Sequence, residues 1–134
     1  NAVEHKNLNL PFEIDVDKYN EIRKTISRKI NNCGIYDSRK GFSDIILSVI
    51  IIKYYLQDEK IVLSKNVYPV VSEITGNSVK LIDANIRNSI KEGWLRADPD
   101  LICKEYTKPV DAEKGYPTAR EFLMYIANSI NYYN

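Results

Sequence analysis

The chain has 134 residues, of which 44% are hydrophobic and 28% are charged. This length suits one domain of ordinary size, and the composition excludes intrinsic disorder and low-complexity architecture. Nineteen Lys and Arg residues against 18 Asp and Glu residues give a net charge of +1, which argues against a protein that coats nucleic acid or an anionic membrane through bulk charge. Any contact with DNA therefore has to depend on local charge placement.

Residues suited to catalysis or metal binding are scarce in this sequence. His5 is the only histidine and lies in a polar N-terminal stretch, which excludes histidine-based metal sites and catalytic triads elsewhere in the chain. Cys33 and Cys103 are far apart, so we expect no disulfide framework or zinc ribbon but two core or half-buried thiols in a reducing, cytoplasmic compartment. We therefore predict a protein that is not an enzyme, with no catalytic residue, no metal and no cofactor.

The ends of the chain and its longest apolar run bear on domain organisation. The run covers residues 45–52, far fewer than the roughly 20 residues that a membrane span needs, and no signal peptide is visible, so we expect no membrane partner. The chain begins with Asn1 rather than methionine, which suggests a cloning scar. We predict a leader or linker over residues 1–16 and a single helical domain over residues 17–134.

The first predicted element is a helix capped by Asp15 or Asp17, because apolar residues recur every three or four positions from residue 19 to residue 33. Gly34 ends this helix. Its polar face and the residues that follow carry six basic side chains, which indicate either a solvated surface or a phosphate-contacting surface. These six residues are Arg23, Lys24, Arg28, Lys29, Arg39 and Lys40.

The second predicted element is a central helix over residues 41–57. This segment is apolar on nearly all sides and has no turn residue, so we expect a buried helix around which the others pack. A short third helix follows. It begins near Tyr68 or Pro69, since proline is tolerated only in the first turn of a helix, and it ends near Thr75.

The next turn and helix form the clearest amphipathic pattern in the chain. Gly76 supplies a residue for the turn, and Asn77 or Ser78 caps the helix that follows. This fourth helix covers residues 78–96 and has an apolar stripe on one side and polar residues on the other. A short helix, a turn with glycine and a longer helix together predict a helix-turn-helix.

Two further helices are predicted towards the C-terminus. Asp98 before Pro99 combines a capping carboxylate with a proline suited to the first helical position, so a short helix is expected through about residue 103. Residues 104–117 are expected to form a loop. Thr118 and Glu121 match a capping box, which predicts a last helix to about residue 131.

The polar face of the fourth helix has the residue types that contact DNA. The major groove of B-DNA admits one α-helix, whose apolar side must pack on its own domain while donors on the other side meet bases and phosphates. Arg87 suits guanine, Asn88 suits adenine or a phosphate, and Asp83 suits a cytosine amino group or an ion pair with Lys80 or Arg87. A plain helical hairpin has the same pattern and remains an alternative. The candidate DNA-contacting residues are Asn77, Ser78, Lys80, Asp83, Ala84, Arg87, Asn88 and Lys91.

Four motifs relate the chain to a known family. They are Gly34-Ile35 with Lys40-Gly41, Ser64-Lys65-x-Val67-Tyr68-Pro69, Ile86-Arg87-x-x-Ile90-x-x-x-Trp94 and Pro117-Thr118-x-x-Glu121-Phe122. Over roughly residues 20–131 the chain resembles the C-terminal DNA-binding domain of the stage-zero sporulation master response regulator of endospore-forming bacteria. The resemblance implies an all-α, compact bundle of about six helices with a helix-turn-helix, of the winged-helix-like superfamily but without a real wing.

The resemblance also implies a function and its residues. It implies a sequence-specific regulator of transcription, active in sporulation, that places helix 78–96 in the major groove of double-stranded promoter boxes. In the family pattern an acidic residue and two arginines contact bases; Asp83 and Arg87 match two of these, and Ala84 replaces the first arginine. The alternative is a degenerate helix-turn-helix module that acts through protein–protein interaction without specific DNA binding.

Further partners follow from the same resemblance. We expect a homodimer on tandem DNA sites and contact with RNA polymerase. The last helix lies near the dimer contact in the family, which makes Phe122, Tyr125 and Tyr132 candidates for that interface, or else aromatic residues of the core and its rim. Residues 1–20 are too few for the receiver domain that family proteins usually carry, so we expect a receiver outside this chain or a stand-alone regulator.

Overall fold

The computed structural model describes residues 13–56 and 60–130, which contain six α-helices and no strand. The helices are α1 (Val16–Asn32), α2 (Phe42–Ile50), α3 (Tyr68–Thr75), α4 (Val79–Arg96), α5 (Pro99–Glu105) and α6 (Ala119–Ser129). None of these helices is long and apolar enough to cross a membrane. The predicted all-α bundle of six helices is confirmed; residues 1–12 of the predicted leader lie outside the described part of the chain.

Side-chain caps account for where several helices begin. Asp15, rather than Asp17, caps α1 by accepting a hydrogen bond from the Lys18 backbone N–H at 2.8 Å. The capping box at α6 is present in both directions: the Thr118 hydroxyl accepts from the Glu121 N–H, and the Glu121 carboxylate accepts from the Thr118 N–H. Asp98 caps α5 in the same manner. These local predictions are confirmed because a cap needs only residues within one helical turn.

The predicted helix over residues 41–57 differs from the structure in its second half. α2 ends at Ile50 and continues as a π-helical segment, Ile51–Tyr55, in which the Leu56 N–H donates to the Ile51 carbonyl at 3.1 Å. A π-helical turn contains one residue more between the hydrogen-bonded groups than an α-helical turn. Both Ile51 and Leu56 remain buried. A second π-helical segment, Leu63–Val67, leads into α3 at Tyr68.

α2 is the centre of the bundle, as predicted, and packs against α1, α3, α4 and α6. Its residues Ile45, Ile46 and Ile50 are completely buried. Because α2 presents apolar side chains on every side, neighbouring helices can cover it all round, and it fixes where each of them lies.

An aromatic cluster joins α4 to α6 on the other side of the core. The Trp94 ring meets the Phe122 ring edge-on with centroids 5.7 Å apart, and Phe122 is completely buried. The interpretation of Phe122 as an interface residue is therefore wrong, since its ring is needed to fill the core.

Tyr125 is half-buried and its hydroxyl lies 2.9 Å from the Thr107 hydroxyl, which makes it a residue of the rim. Tyr132 lies outside the described residues.

The two cysteines have different environments. Cys33 is buried, as expected, and burial raises the pKa of its thiol to about 12, with nearby Glu105 adding to the increase. Cys103 is exposed on α5, so the expectation of a buried or half-buried thiol is wrong there. The short helix α5 has no fully buried residue, and position 103 lies on its solvent side.

Thiol labelling of the native protein is expected to modify Cys103 and spare Cys33. The thiolate is the reactive form, and a raised pKa keeps the Cys33 thiol protonated at pH 8. A disulfide reagent should therefore titrate one thiol per chain in the folded state and two in urea. The Cys103→Ser variant should react only after unfolding; fast labelling of that variant in the native state would contradict the buried position of Cys33.

Candidate nucleic-acid interface

The turn between α3 and α4 is held by a small set of hydrogen bonds. Gly76 has a φ of 84°, in the left-handed region, and its N–H donates to the Ser72 carbonyl at 2.8 Å to close α3. The Ser72 hydroxyl then donates to the Asn77 carbonyl at 2.6 Å, and the Ser78 hydroxyl caps α4 by accepting from the Leu81 N–H. The turn therefore fixes the direction in which α4 leaves α3.

Asn77 and Ser78, two of the eight predicted site residues, are thereby placed at the N-terminus of α4. Asn77 is half-buried and Ser78 is exposed. The turn uses the Asn77 carbonyl and the cap uses the Ser78 hydroxyl. Both residues shape the helix start, where unpaired backbone N–H groups and the helix dipole favour an anion.

The other six predicted residues lie along one side of α4. The opposite side is buried against the core through Ile82, Ile86, Ser89, Ile90 and Gly93. Lys80, Arg87, Asn88 and Lys91 are exposed, and Asp83 and Ala84 are half-buried. We call this side the outer face of α4. The structure therefore brings the six predicted residues onto one solvent-facing surface, because the helical period separates it from the apolar stripe.

Arg87 and Asp83 form an ion pair on the outer face. The Arg87 Nε donates to the Asp83 Oδ2 at 3.0 Å, one helical turn away, which decides between the two pairings that the sequence left open. An exposed pair of this kind contributes only about 0.3–0.5 kcal/mol to stability. Its effect is to orient the guanidinium while leaving the two terminal Nη groups available for a further acceptor.

The six basic residues of the α1 region have different surroundings. Arg39 forms an ion pair with Glu92 of α4, Lys29 pairs with Glu105 of α5 at 3.2 Å, and the Arg23 guanidinium lies 5.9 Å from the centre of the Phe42 ring. Lys29 and Arg23 connect α1 to other helices, and Arg39 connects the loop before α2 to α4. The remaining three, Lys24, Arg28 and Lys40, are exposed.

Lys40, like Arg39, is a basic residue that sequence reasoning did not connect with α4. The loop before α2 packs closely on α4, since a Cβ added to Gly41 would lie 2.4 Å from the Ser89 Oγ. A groove of about 340 Å³ between this loop and α4 is lined by both Lys40 and Asn88. In the sequence, the Lys40-Gly41 motif was the only signal of this packing, because the loop before α2 and α4 are far apart in the chain.

A buried carboxylic acid lies beneath the outer face. Asp44 of α2 is 2% exposed, and burial raises the pKa of its carboxyl group although a hydrogen bond from Asn85 of α4 opposes this. Burial likewise raises the pKa of the Tyr68 hydroxyl, with nearby Asp83 adding to the increase, so this phenol stays protonated at neutral pH. The Asp44–Asn85 contact ties α4 to the central helix.

Comparison with known proteins agrees with this geometry. Residues 26–130 match the protein family described as "Sporulation initiation factor Spo0A C terminal". The chain belongs to this family. The matched region runs from the middle of α1 to the end of α6 and includes the whole helix-turn-helix. No solved structure matches the chain significantly.

Membership of the Spo0A C-terminal family establishes the class of the protein. It is a DNA-binding effector domain of a sporulation regulator, and the family is not a family of enzymes. The resemblance noted in the sequence is confirmed. Three of its four motifs lie where elements meet, since Gly34 ends α1, Tyr68 begins α3 and Thr118 caps α6, and the fourth lies within α4. These motifs identify the helical bundle of the family.

Two exposed leucines accompany the charged residues of α4 and were missed by the sequence analysis. Leu81 is 46% exposed in the first turn and Leu95 is 79% exposed near the end. Both fall outside the apolar stripe, which is the signal that could have identified them.

Proposed function

We propose that this domain is a sequence-specific regulator of transcription that binds double-stranded promoter DNA with α4 in the major groove. The observation that carries the proposal is the outer face of α4, where Lys80, Arg87, Asn88 and Lys91 are exposed while the opposite face is buried. An exposed helix with donors on one side and a packed apolar stripe on the other meets both requirements of a recognition helix.

Arg87 is proposed to supply the main base contact. With its Nε held by Asp83 at 3.0 Å, its two Nη groups remain free to donate to O6 and N7 of a guanine. Asp83 is thus proposed to orient Arg87, and it is also placed to accept from a cytosine amino group. Asn88 is proposed to read adenine or to hold a phosphate together with Lys40.

The remaining residues are proposed to position the helix on the DNA backbone. Lys80 and Lys91 are exposed near the two ends of the outer face and suit phosphates on the strands that border the groove. Asn77 and Ser78 lie at the N-terminus of α4, whose free N–H groups favour a phosphate. These contacts add affinity without selecting a sequence.

Ala84 is proposed to change the target sequence. It lies between Lys80 and Asn88 on the outer face, where the family pattern has an arginine, and its methyl group cannot donate to a base. A good bidentate pair contributes about 1–3 kcal/mol of discrimination, so its loss is large enough to relax or alter the choice of one base pair. We therefore propose DNA binding of the family kind with a different box.

Assembly on DNA is part of the same proposal. Head-to-tail pairing on tandem boxes and contact with RNA polymerase both require exposed surfaces away from the DNA. Leu101 of α5 is 47% exposed and offers an apolar contact of that kind. The second candidate function, a protein-binding module without specific DNA binding, is favoured by Ala84 and by the net charge of +1.

Selection of bound duplexes from a random pool tests the proposal, followed by binding measurements over a range of salt concentrations. We expect an enriched motif whose affinity exceeds that of random duplex by about 10³-fold or more, with random duplex binding at about 10⁻⁴ to 10⁻⁶ M. Binding to both should weaken linearly with the logarithm of salt concentration. A pool without any enriched motif would support the second candidate instead.

A further inference from the structure

A groove of about 940 Å³ opens beside the N-terminal half of α4. One wall is the segment over residues 60–64, and the other includes the start of α4 and Arg120 of α6. Its lining combines apolar groups, among them Ile61 and Val79, with three cationic side chains. The three are Lys60, Lys80 and Arg120.

The wall over residues 60–64 is held in place by hydrogen bonds rather than by a helix. The Arg120 Nη1 donates to the Ile61 carbonyl, and the Val62 N–H donates to the Asn66 side-chain oxygen at 2.8 Å. Ile61 is buried and anchors the segment to the core, whereas Lys60 is exposed. Lys60 is therefore held beside the groove by its neighbours while its own ammonium group faces solvent.

The charges of the groove favour an anion. Among the described residues that line the groove, Asp83 is the only acidic one, and its carboxylate is already paired with Arg87 at 3.0 Å. Within the described lining, Lys60, Lys80 and Arg120 therefore outnumber the single carboxylate of Asp83, although the net charge of the protein is only +1. Because the three cations lie on different elements, a ligand with several negative charges can contact more than one of them.

The position of the groove identifies the anion. Lys80 and Asp83 line the groove and also belong to the outer face of α4, so the groove directly adjoins that face. When a helix occupies a major groove about 12 Å wide, the phosphate backbones of the two strands pass along its sides. One of these backbones would lie along the groove.

We propose that this groove seats the phosphodiester backbone of one DNA strand, with Lys60 as a phosphate contact outside the helix-turn-helix. Arg120 is a positioning residue that holds the wall over residues 60–64 against α6. This assignment rests on the proposed function, since it places α4 in the adjacent major groove. An acidic peptide is the other occupant that the charges allow, and the experiment below distinguishes the two.

The test compares Lys60→Gln with Lys104→Gln in the full chain. Lys60 is exposed and lies outside every described helix, and Lys104 is exposed on α5, which packs against α1. Dissociation constants are measured by fluorescence anisotropy for the selected duplex and for a random duplex at several salt concentrations. We expect Lys60→Gln to weaken both duplexes by the same factor and to lower the slope of log affinity against log salt by about 0.9, with Lys104→Gln unchanged.

The outcomes separate this assignment from the function on which it rests. If the unsubstituted protein binds no duplex at low salt, the proposed function fails and the groove assignment fails with it. If the unsubstituted protein binds and Lys60→Gln keeps its full salt slope, only the groove assignment is overturned. In that case, binding of poly-glutamate by the unsubstituted protein but not by Lys60→Gln would assign the groove to an acidic peptide.

Discussion

Replacing Arg87 with alanine is expected to reduce affinity for the selected DNA site by about 1–3 kcal/mol and to leave affinity for random duplex far less changed. The reason is that two Nη donors on one rigid guanidinium match two acceptors on guanine, and no other base presents that pair. Arg87 is 60% exposed on its side chain, so the substitution leaves the core of the domain unaltered. Competition binding between selected and random duplexes measures the difference.

Lys91→Ala is the matched control for this prediction. Lys91 is exposed on the same face, one turn further along α4, but its ammonium suits a phosphate rather than a base edge. Its removal should weaken selected and random duplexes equally and lower the salt slope by about 0.9. If Arg87→Ala behaves in the same way as Lys91→Ala, then Arg87 contacts the backbone and the proposed base contact is wrong.

Asp83→Asn separates the orienting role of the carboxylate from a direct base contact. The asparagine amide keeps an oxygen that can accept from Arg87, but it loses the charge of the ion pair. If Asp83 acts only by orienting Arg87, the variant should bind the same selected motif with a small loss of affinity. If Asp83 accepts from a cytosine amino group, repeating the selection should relax one position of the motif.

Gly34→Ala is expected to destabilise the domain by roughly 2–5 kcal/mol. Gly34 has a φ of 82°, which costs any other residue about 1–2 kcal/mol. A Cβ at this position would lie 2.2 Å from the Gly93 carbonyl oxygen, so α1 and α4 would also have to separate. Urea unfolding monitored by Trp94 fluorescence measures the change.

Gly76→Ala is the control, because it shares the backbone conformation and lacks the contact. Gly76 has a φ of 84°, but a Cβ there would meet no atom within 4 Å. The expected loss of unfolding free energy is therefore only that of the left-handed backbone conformation, about 1–2 kcal/mol. Equal losses for the two variants would mean that the approach of Gly34 to Gly93 contributes nothing to stability.

The glycine contact also bears on DNA binding. Gly93 lies on the buried side of α4, and a Cβ added there would lie 2.6 Å from the Cys33 carbonyl oxygen and 2.8 Å from the Ile35 Cγ1, so the end of α1 packs closely against it. A side chain at this crossing is expected to push α4 away from the end of α1, and with it the outer face that carries Arg87. In a folded Gly34 variant we therefore expect weaker binding to the selected site even though position 34 contacts no DNA.

Much of the fold could be predicted from the sequence because its signals are local or periodic. The caps at Asp15 and Thr118 depend on residues within one turn, and the stripe Ile82–Ile86–Ile90 depends only on the helical period. The outer face of α4 was predictable for the same reason, since it consists of the residues on the side of the helix opposite the buried stripe. The family motifs added the order of the helices.

Only the tertiary structure decided which distant residues meet. It placed Phe122 in the core, paired Arg39 with Glu92, and set Lys40 beside Asn88. It also placed Lys60 and Arg120 on one groove with Lys80, although these residues belong to three separate segments. Charge and hydrophobicity are properties of single residues and can be counted along a chain, whereas a contact depends on how whole helices pack, which no local pattern specifies.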